Sequence, residues 1–210
     1  MQGKPRLIEE HHNLPGLDPE PRLNIAPTDV VPILTNQAPE NWTFARWGLV
    51  PGWASDPKEM RATFNARIEN LATTRLWAEP FRRRRCLVPA DGFYEWPEID
   101  GRKRPVRIGL HGQPFAFAGL WDEWRSRDTG EVLRSCTIIT CEPNAFMSAI
   151  HDRMAIILPE NLWTAWLAPE EQTPERLYPI LQSVDGASMS AEPCESPIPV
   201  KESAQRSFLF

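Results

Sequence analysis

Four short blocks of the 210-residue sequence carry side chains able to do chemistry. In Asp91-Gly92-Phe93-Tyr94-Glu95-Trp96, strand alternation places Phe93 and Glu95 on one face and Tyr94 and Trp96 on the other. A carboxyl desolvated by neighbouring rings has a raised pKa and suits general acid or base work, whereas an edge-strand Glu in water has no such role. Ile150-His151-Asp152-Arg153-Met154 sets one histidine behind an apolar stretch, as a proton-transfer group or as a satisfied structural histidine. Phe64-Asn65-Ala66-Arg67-Ile68-Glu69 offers Asn65 as a site amide or as a helix cap. Arg82-Arg83-Arg84-Arg85, together with Arg61, Arg67 and Arg75, suits a phosphate-tracking groove or a solvated face.

Short elements have to position these blocks. Apolar runs bounded by Pro, Gly or Asp recur at 30–34, 44–50, 86–88, 106–110, 115–121, 133–140 and 154–158, and their β-branched and aromatic content predicts strands. Asp100-Gly101 predicts a hairpin between 94–96 and 106–110, and Asp128-Thr129-Gly130 predicts another. Helical spacing of Leu71, Arg75, Leu76 and Phe81 predicts a helix after Asn65. A short helix is expected at 144–150, and a third carries Leu162, Trp163, Trp166 and Leu167 behind Pro159. Residues 1–21 read as a polar arm with one short helix at 7–13. Residues 183–210 read as a polar segment with an edge strand at 198–200. The spacing of elements predicts an α+β fold class, one domain over 1–210 built on antiparallel sheet.

Composition narrows the function classes. A formal charge of -5 argues against a generally basic surface, so any nucleic-acid site has to be local. The 22 prolines are spread through the chain and, with 9 tryptophans, favour a turn-rich, strand-rich fold with few long helices. The mean hydropathy of -0.42 and the lack of a long apolar run exclude a membrane helix. No apolar stretch follows the basic residues of the N-terminus, so an intracellular, cytoplasmic protein is expected. Cys86, Cys136, Cys141 and Cys194 form no CxxC pair and are expected to be reduced thiols. His11, His12, His111 and His151 lack ligand spacing, so no metal and no cofactor is expected. No heptad is visible, and a monomer is expected.

Taken in order, Asn24-Ile25-Ala26-Pro27-Thr28, Trp47-Gly48-Leu49-Val50-Pro51-Gly52-Trp53, Asn65-Ala66-Arg67-Ile68-Glu69, Arg85 through Trp96, Phe117-Ala118-Gly119-Leu120-Trp121 and Ile150-His151-Asp152-Arg153-Met154 closely resemble the SOS-response-associated peptidase (SRAP) family. The resemblance runs from about Leu14 to about Val200. It implies a strand-rich, curved antiparallel sheet with a few short helices. It also implies an abasic-site processing protein, in which the α-amine of an N-terminal Cys attacks the C1′ aldehyde of a ring-opened sugar in single-stranded DNA. The Cys thiol then closes a thiazolidine, leaving a DNA–protein crosslink. Carried over by position, Asn65, Glu95 and His151 would be catalytic, with Asn65 orienting the amine and Glu95 and His151 moving protons. Arg67, Arg75 and Lys4 would hold phosphates, Pro27, Trp53 and Trp96 would pack on bases, and Thr140 would line the site. Arg82–Arg85 would extend the phosphate track. The expected partner is single-stranded DNA containing abasic sites.

The family begins Met-Cys-Gly-Arg, whereas this sequence begins Met1-Gln2-Gly3-Lys4, so Gln2 stands at the nucleophile's position. Either the start is truncated or altered, or the chain is a divergent member. A free α-amine, with an ordinary pKa of about 7.7–8.0, forms an imine with an aldehyde, but no thiol beside it traps that imine. The expectation is binding of abasic single strands with little stable crosslink and weak lyase activity. The alternatives are a non-catalytic single-strand or damage-binding module, and a peptidase limited to processing its own N-terminus.

Overall fold

The computed structural model describes residues 24–60 and 63–195. Gln2, Lys4, the helix expected at 7–13 and the strand expected at 198–200 lie outside them. In chain order the strands are β1 (Val30–Thr35), β2 (Ala38–Trp47), β3 (Asn65–Arg67), β4 (Arg85–Ala90), β5 (Phe93–Glu95) and β6 (Glu98–Ile99). They continue with β7 (Arg102–Lys103), β8 (Val106–Gly109), β9 (Phe115–Arg125), β10 (Val132–Cys141), β11 (Met154–Ala155) and β12 (Ser190–Pro193). The helices are α1 (Arg75–Arg83), α2 (Trp163–Trp166) and α3 (Pro174–Leu177), and short 3-10 turns fill several connections.

Strand β9 dictates the layering, because every residue from its start through Asp122 is buried. A strand buried on both faces needs cover twice. Alternation supplies it: Phe117 and Trp121 join one apolar cluster with Ile33, Cys136 and Ile138, while Ala118 and Leu120 join a second with Leu34, Leu87 and Ile139. The second cluster is completed by Trp77 and Phe81 of α1, Trp166 of α2 and Leu177 of α3. These short helices therefore form because the sheet gives their apolar faces a partner.

The sheet closes on itself as a small barrel. β10 pairs with β2, β2 with β1, β1 with β4, β4 with β9, and β9 returns to β10 with Ile138 opposite Gly119. Closure crowds Gly119, where a Cβ would sit 2.7 Å from the Thr137 carbonyl oxygen, so only glycine fits. Most pairings are antiparallel, as expected, and the exceptions lie on β10. Here β10 runs parallel to β2 (Ser135 opposite Arg46) and to β3 (Ile138 opposite Asn65). The chain leaves β2 at Trp47, loops out, and rejoins the same edge of β10 as β3, which obliges β3 to run in β2's direction.

A smaller sheet, β12-β8-β5, stands beside the barrel, with Glu95 of β5 opposite Val106 of β8. The Asp100-Gly101 hairpin forms as β6 and β7, with left-handed φ values of 52° and 70° at its two turn residues. The strand expected at 154–158 is shorter, since β11 ends at Ala155 and the rest makes a single bridge, Phe117 to Ile157. β12 comes from a segment too polar to announce a strand, and it is held by the free edge of β8.

Candidate active site

Strand β3 owes its position to its carbonyls and its one buried methyl. Phe64, just before it, accepts the Ile138 backbone N–H at 3.1 Å and the Trp47 indole N–H at 2.9 Å. Ala66 is fully buried in the helix-side cluster, so its neighbours Asn65 and Arg67 both point to the exposed face. Arg67 lies opposite Thr140 in the parallel register. Thr140 itself is buried and offers its backbone carbonyl to this region.

On the other flank of β10, β11 sets Met154 opposite Cys141 and Ala155 opposite Thr140. The residues before β11 make a 3-10 turn, Met147–Ala149, whose Met147 carbonyl accepts the N–H groups of both Ile150 and His151 at 2.8 Å. His151 leaves this turn exposed. Its Nδ1 accepts the Arg153 backbone N–H at 2.9 Å in the tautomer that carries the ring proton on Nε2. The Asp152 carboxylate oxygen stands 3.1 Å from the same Nδ1 and accepts from it only when Nδ1 is protonated.

Glu95 reaches this region from the smaller sheet. Phe93, two residues earlier, anchors β5 with its ring 5.7 Å from that of Phe117. The Glu95 carboxyl is half-buried, and burial pushes its pKa above the usual carboxylate range. A charge on His151 opposes that rise and the Asp152 carboxylate adds to it, so the three groups share one electrostatic neighbourhood. The sequence places Glu95 and His151 far apart; the fold brings them together.

Asn65 and Arg67 are tied to His151 through Arg153. Its guanidinium makes a two-pronged ion pair with Glu69, at 2.7 and 3.0 Å, and donates to the Thr140 carbonyl at 3.0 Å. The Arg153 guanidinium holds the Glu69 carboxyl below the usual range. The sequence leaves Asp152 and Arg153 to pair with other groups of the structure and does not single out Glu69 as the partner. The usable signal was an unpaired opposite charge in each of two neighbouring motifs.

Trp53 and Arg75 form a separate unit, with the Arg75 guanidinium carbon 4.3 Å from the ring centroid. No hydrogen bond, ion pair or ring contact among the described residues joins this unit to Glu95 or His151. Trp96 is half-buried directly after Glu95, and Pro27 is exposed in a turn closed by the Asp29 N–H on the Ala26 carbonyl at 3.0 Å. In that turn Thr28 takes φ 83°, a strained value for a β-branched residue. Gln2 and Lys4 are outside the described residues.

The arginine run is engaged within the protein, with the Arg82 and Arg83 side chains still 51% and 56% exposed. Arg85 is fully buried and donates to the carbonyls of Trp166, Phe81, Arg82, Ala168 and Glu170. Burial pushes its pKa down to about 10, which leaves it charged. Arg84 lies 3.1 Å from Asp122 and 3.2 Å from Glu79, while Arg82 and Arg83 both reach Glu171. The run is committed to internal carbonyls and ion pairs, a use that residue type and spacing alone do not reveal.

Two of the four thiols are locked in the core. Cys86 and Cys136 are fully buried, the latter pushed up to about 12, and burial also raises Cys141. Among the described residues no cluster of three His, Cys, Asp or Glu side chains suits a metal ion.

Residues 4–199 match the family described as SOS response associated peptidase (SRAP). The chain belongs to the SRAP family. Among SRAP-related proteins, it is 41% identical over 175 residues to abasic site processing protein YoaM of Bacillus subtilis, covering 82% of this chain and 77% of that one. It is 40% identical over 191 residues to abasic site processing protein YoqW of the same organism, covering 88% and 85%. A crystal structure of a Bacteroides thetaiotaomicron protein matches this SRAP chain with a TM-score of 0.82 at 25% identity, covering 93% of this chain and 90% of that one. The strand-rich SRAP fold, with its curved sheet closed as a small barrel, is thus common to both.

Proposed function

We propose that this chain processes abasic sites in single-stranded DNA, with Glu95 and His151 moving the protons and Asn65 orienting the reacting groups. The observation that carries the proposal is the half-buried Glu95 carboxyl, raised in pKa and electrostatically joined to His151. Relatives that share the chain's sequence over most of its length are named abasic site processing proteins, which supports the same substrate class.

The chemistry follows from a carboxyl whose burial favours its protonated form. A neutral primary amine of the chain attacks C1′ of the ring-opened sugar, its nitrogen loses a proton, and the aldehyde oxygen gains one, giving a carbinolamine. Glu95 then donates its proton to that hydroxyl as the C1′–O bond breaks. Water leaves, the nitrogen lone pair completes the C=N bond, and the protonated imine that results returns its N–H proton to the Glu95 carboxylate, leaving the neutral imine. The Nε2–H of His151 supplies a hydrogen bond to the departing oxygen. The Asn65 amide, exposed on β3, would orient the amine. The proposed step ends at the imine, because closure to a thiazolidine needs a thiol beside the amine and the raised, half-buried Cys141 does not provide one.

Binding would be shared between charge and stacking. Arg67 is exposed on the Asn65 face to meet a phosphate, and Trp53, Trp96 and Pro27 offer apolar surfaces to unstacked bases. The test is reductive trapping: the chain is mixed with a single-stranded oligonucleotide carrying one abasic site, with borohydride present. A trapped adduct from wild type, lost in Glu95→Gln at unchanged DNA affinity, is the expected result. Tight binding with no adduct from wild type would replace the proposal by a non-catalytic damage-binding module.

A further inference from the structure

We infer that Glu69 and Arg153 act as a positioning pair that holds His151 in the tautomer with its proton on Nε2. The inference starts from what Arg153 does with its two ends. Its backbone flanks the imidazole: the N–H donates to Nδ1 at 2.9 Å, and the carbonyl oxygen lies 3.1 Å from the same atom. A neutral ring needs a donor at Nδ1 if Nε2 is to carry the proton; a cationic ring needs an acceptor there. The one residue provides both partners.

That arrangement works only while the Arg153 backbone stays in place, and the two residues before it, His151 and Asp152, are exposed. The side chain supplies the anchor. Two charge-assisted hydrogen bonds bind it to Glu69, at 2.7 and 3.0 Å, and a third binds it to the Thr140 carbonyl at 3.0 Å. Glu69 sits in the 3-10 turn Ile68–Asn70 directly after β3, and Thr140 lies on β10 opposite Arg67. The clamp therefore references the histidine to the strand that carries Asn65 and Arg67. It is kept although Arg153 Nε is buried without a partner, a cost that a merely convenient surface ion pair would not retain. The other charged groups facing His151 are Glu95 and Asp152; as carboxylates both only accept, so neither can replace the Arg153 N–H as the donor to Nδ1.

The kinetic part of this inference rests on the abasic-site proposal, and the spectroscopic part does not. The test uses the 210-residue chain labelled with 15N-histidine, with the His151 signals assigned by loss in His151→Gln. At alkaline pH, wild type is expected to show a protonated Nε2 and an unprotonated Nδ1. In Glu69→Gln, and in Arg153→Lys, the two nitrogen shifts should move toward each other as the tautomers mix. Trapped-adduct formation should slow by about tenfold, a loss typical of mispositioned proton transfer, with affinity for single-stranded DNA changed by less than about twofold. Glu69→Asp, which keeps the carboxylate, should recover most of the rate. Thermal melts identify any variant that fails to fold, and the other variant then decides. Unchanged 15N shifts in a folded Glu69→Gln or Arg153→Lys protein would overturn the inference, as would a slowed reaction without a tautomer change. If wild type forms no adduct but the shifts respond as expected, the abasic-site proposal fails and the positioning pair stands.

Discussion

Arg75 lies over the ring of Trp53, its guanidinium carbon 4.3 Å from the ring centroid. A cation on one face of an indole fixes the ring and leaves the opposite face for another planar group. Trp53 remains 46% exposed. Under the proposed function this exposed surface would stack on a nucleobase. Trp53→Ala should weaken binding to single-stranded DNA by about 1–3 kcal/mol, the worth of one stacked base. Arg75→Gln should also lower the salt dependence, reducing the slope of log K against log salt by about 0.7 if Arg75 meets one phosphate. Fluorescence anisotropy over a salt series measures both.

The raised carboxyl of Glu95 gives the reaction a pH signature. An acid that must hold its proton works below its pKa and fails above it, so the wild-type rate of imine trapping should fall as pH rises through a value above the usual carboxylate range. Glu95→Gln should be at least about 100-fold slower and lose this limb. Stability should move oppositely. Burial disfavours the ionised form in the folded state, so Glu95→Gln should raise the melting temperature at pH values above the folded pKa and have little effect where both forms are neutral. A wild-type rate that does not change with pH would remove Glu95 from the acid role.

Arg85 is a structural arginine, and its loss should unfold the protein before it affects any ligand. Truncating it strands the carbonyls of Trp166, Ala168 and Glu170, all of them across the interface between β4 and the segment after α2. Arg85→Ala should cost about 3–5 kcal/mol in urea titration, the range for breaking a buried charged network. Arg82→Gln and Arg83→Gln, whose partner Glu171 is partly exposed, should change stability by less than about 1 kcal/mol and leave the salt dependence of DNA binding alone.

Thr28 tests whether strain is held beside Pro27. At φ 83° a β-branched side chain crowds its own backbone, and glycine does not. Thr28→Gly should therefore stabilise the chain by up to about 1 kcal/mol, with strain relief outweighing the added entropy of the unfolded chain. A destabilised variant would show that Thr28 makes contacts worth more than its strain.

Local pattern carried much of this protein. Period-two apolar runs locate most of the barrel strands, because a residue's face in a strand depends only on its parity. Asp100-Gly101 marks its hairpin, because those residue types tolerate left-handed φ. The ordered blocks around Asn65, Glu95 and His151 were likewise visible, down to the residues proposed for chemistry. What the linear chain does not contain is which charges meet. Four consecutive arginines look like a basic surface until tertiary packing buries Arg85 against the carbonyls after α2 and commits Arg82, Arg83 and Arg84 to carboxylates. Glu69 and Arg153 look like ordinary motif residues until β3 and β11 flank the same strand. The direction of β3, the closure of the barrel and the edge strand β12 were also decided in three dimensions, since a strand's partner depends on which edge is left open rather than on its own residues. Electrostatic pairing falls off over a few ångströms, and only the fold brings residues distant in sequence to within that range.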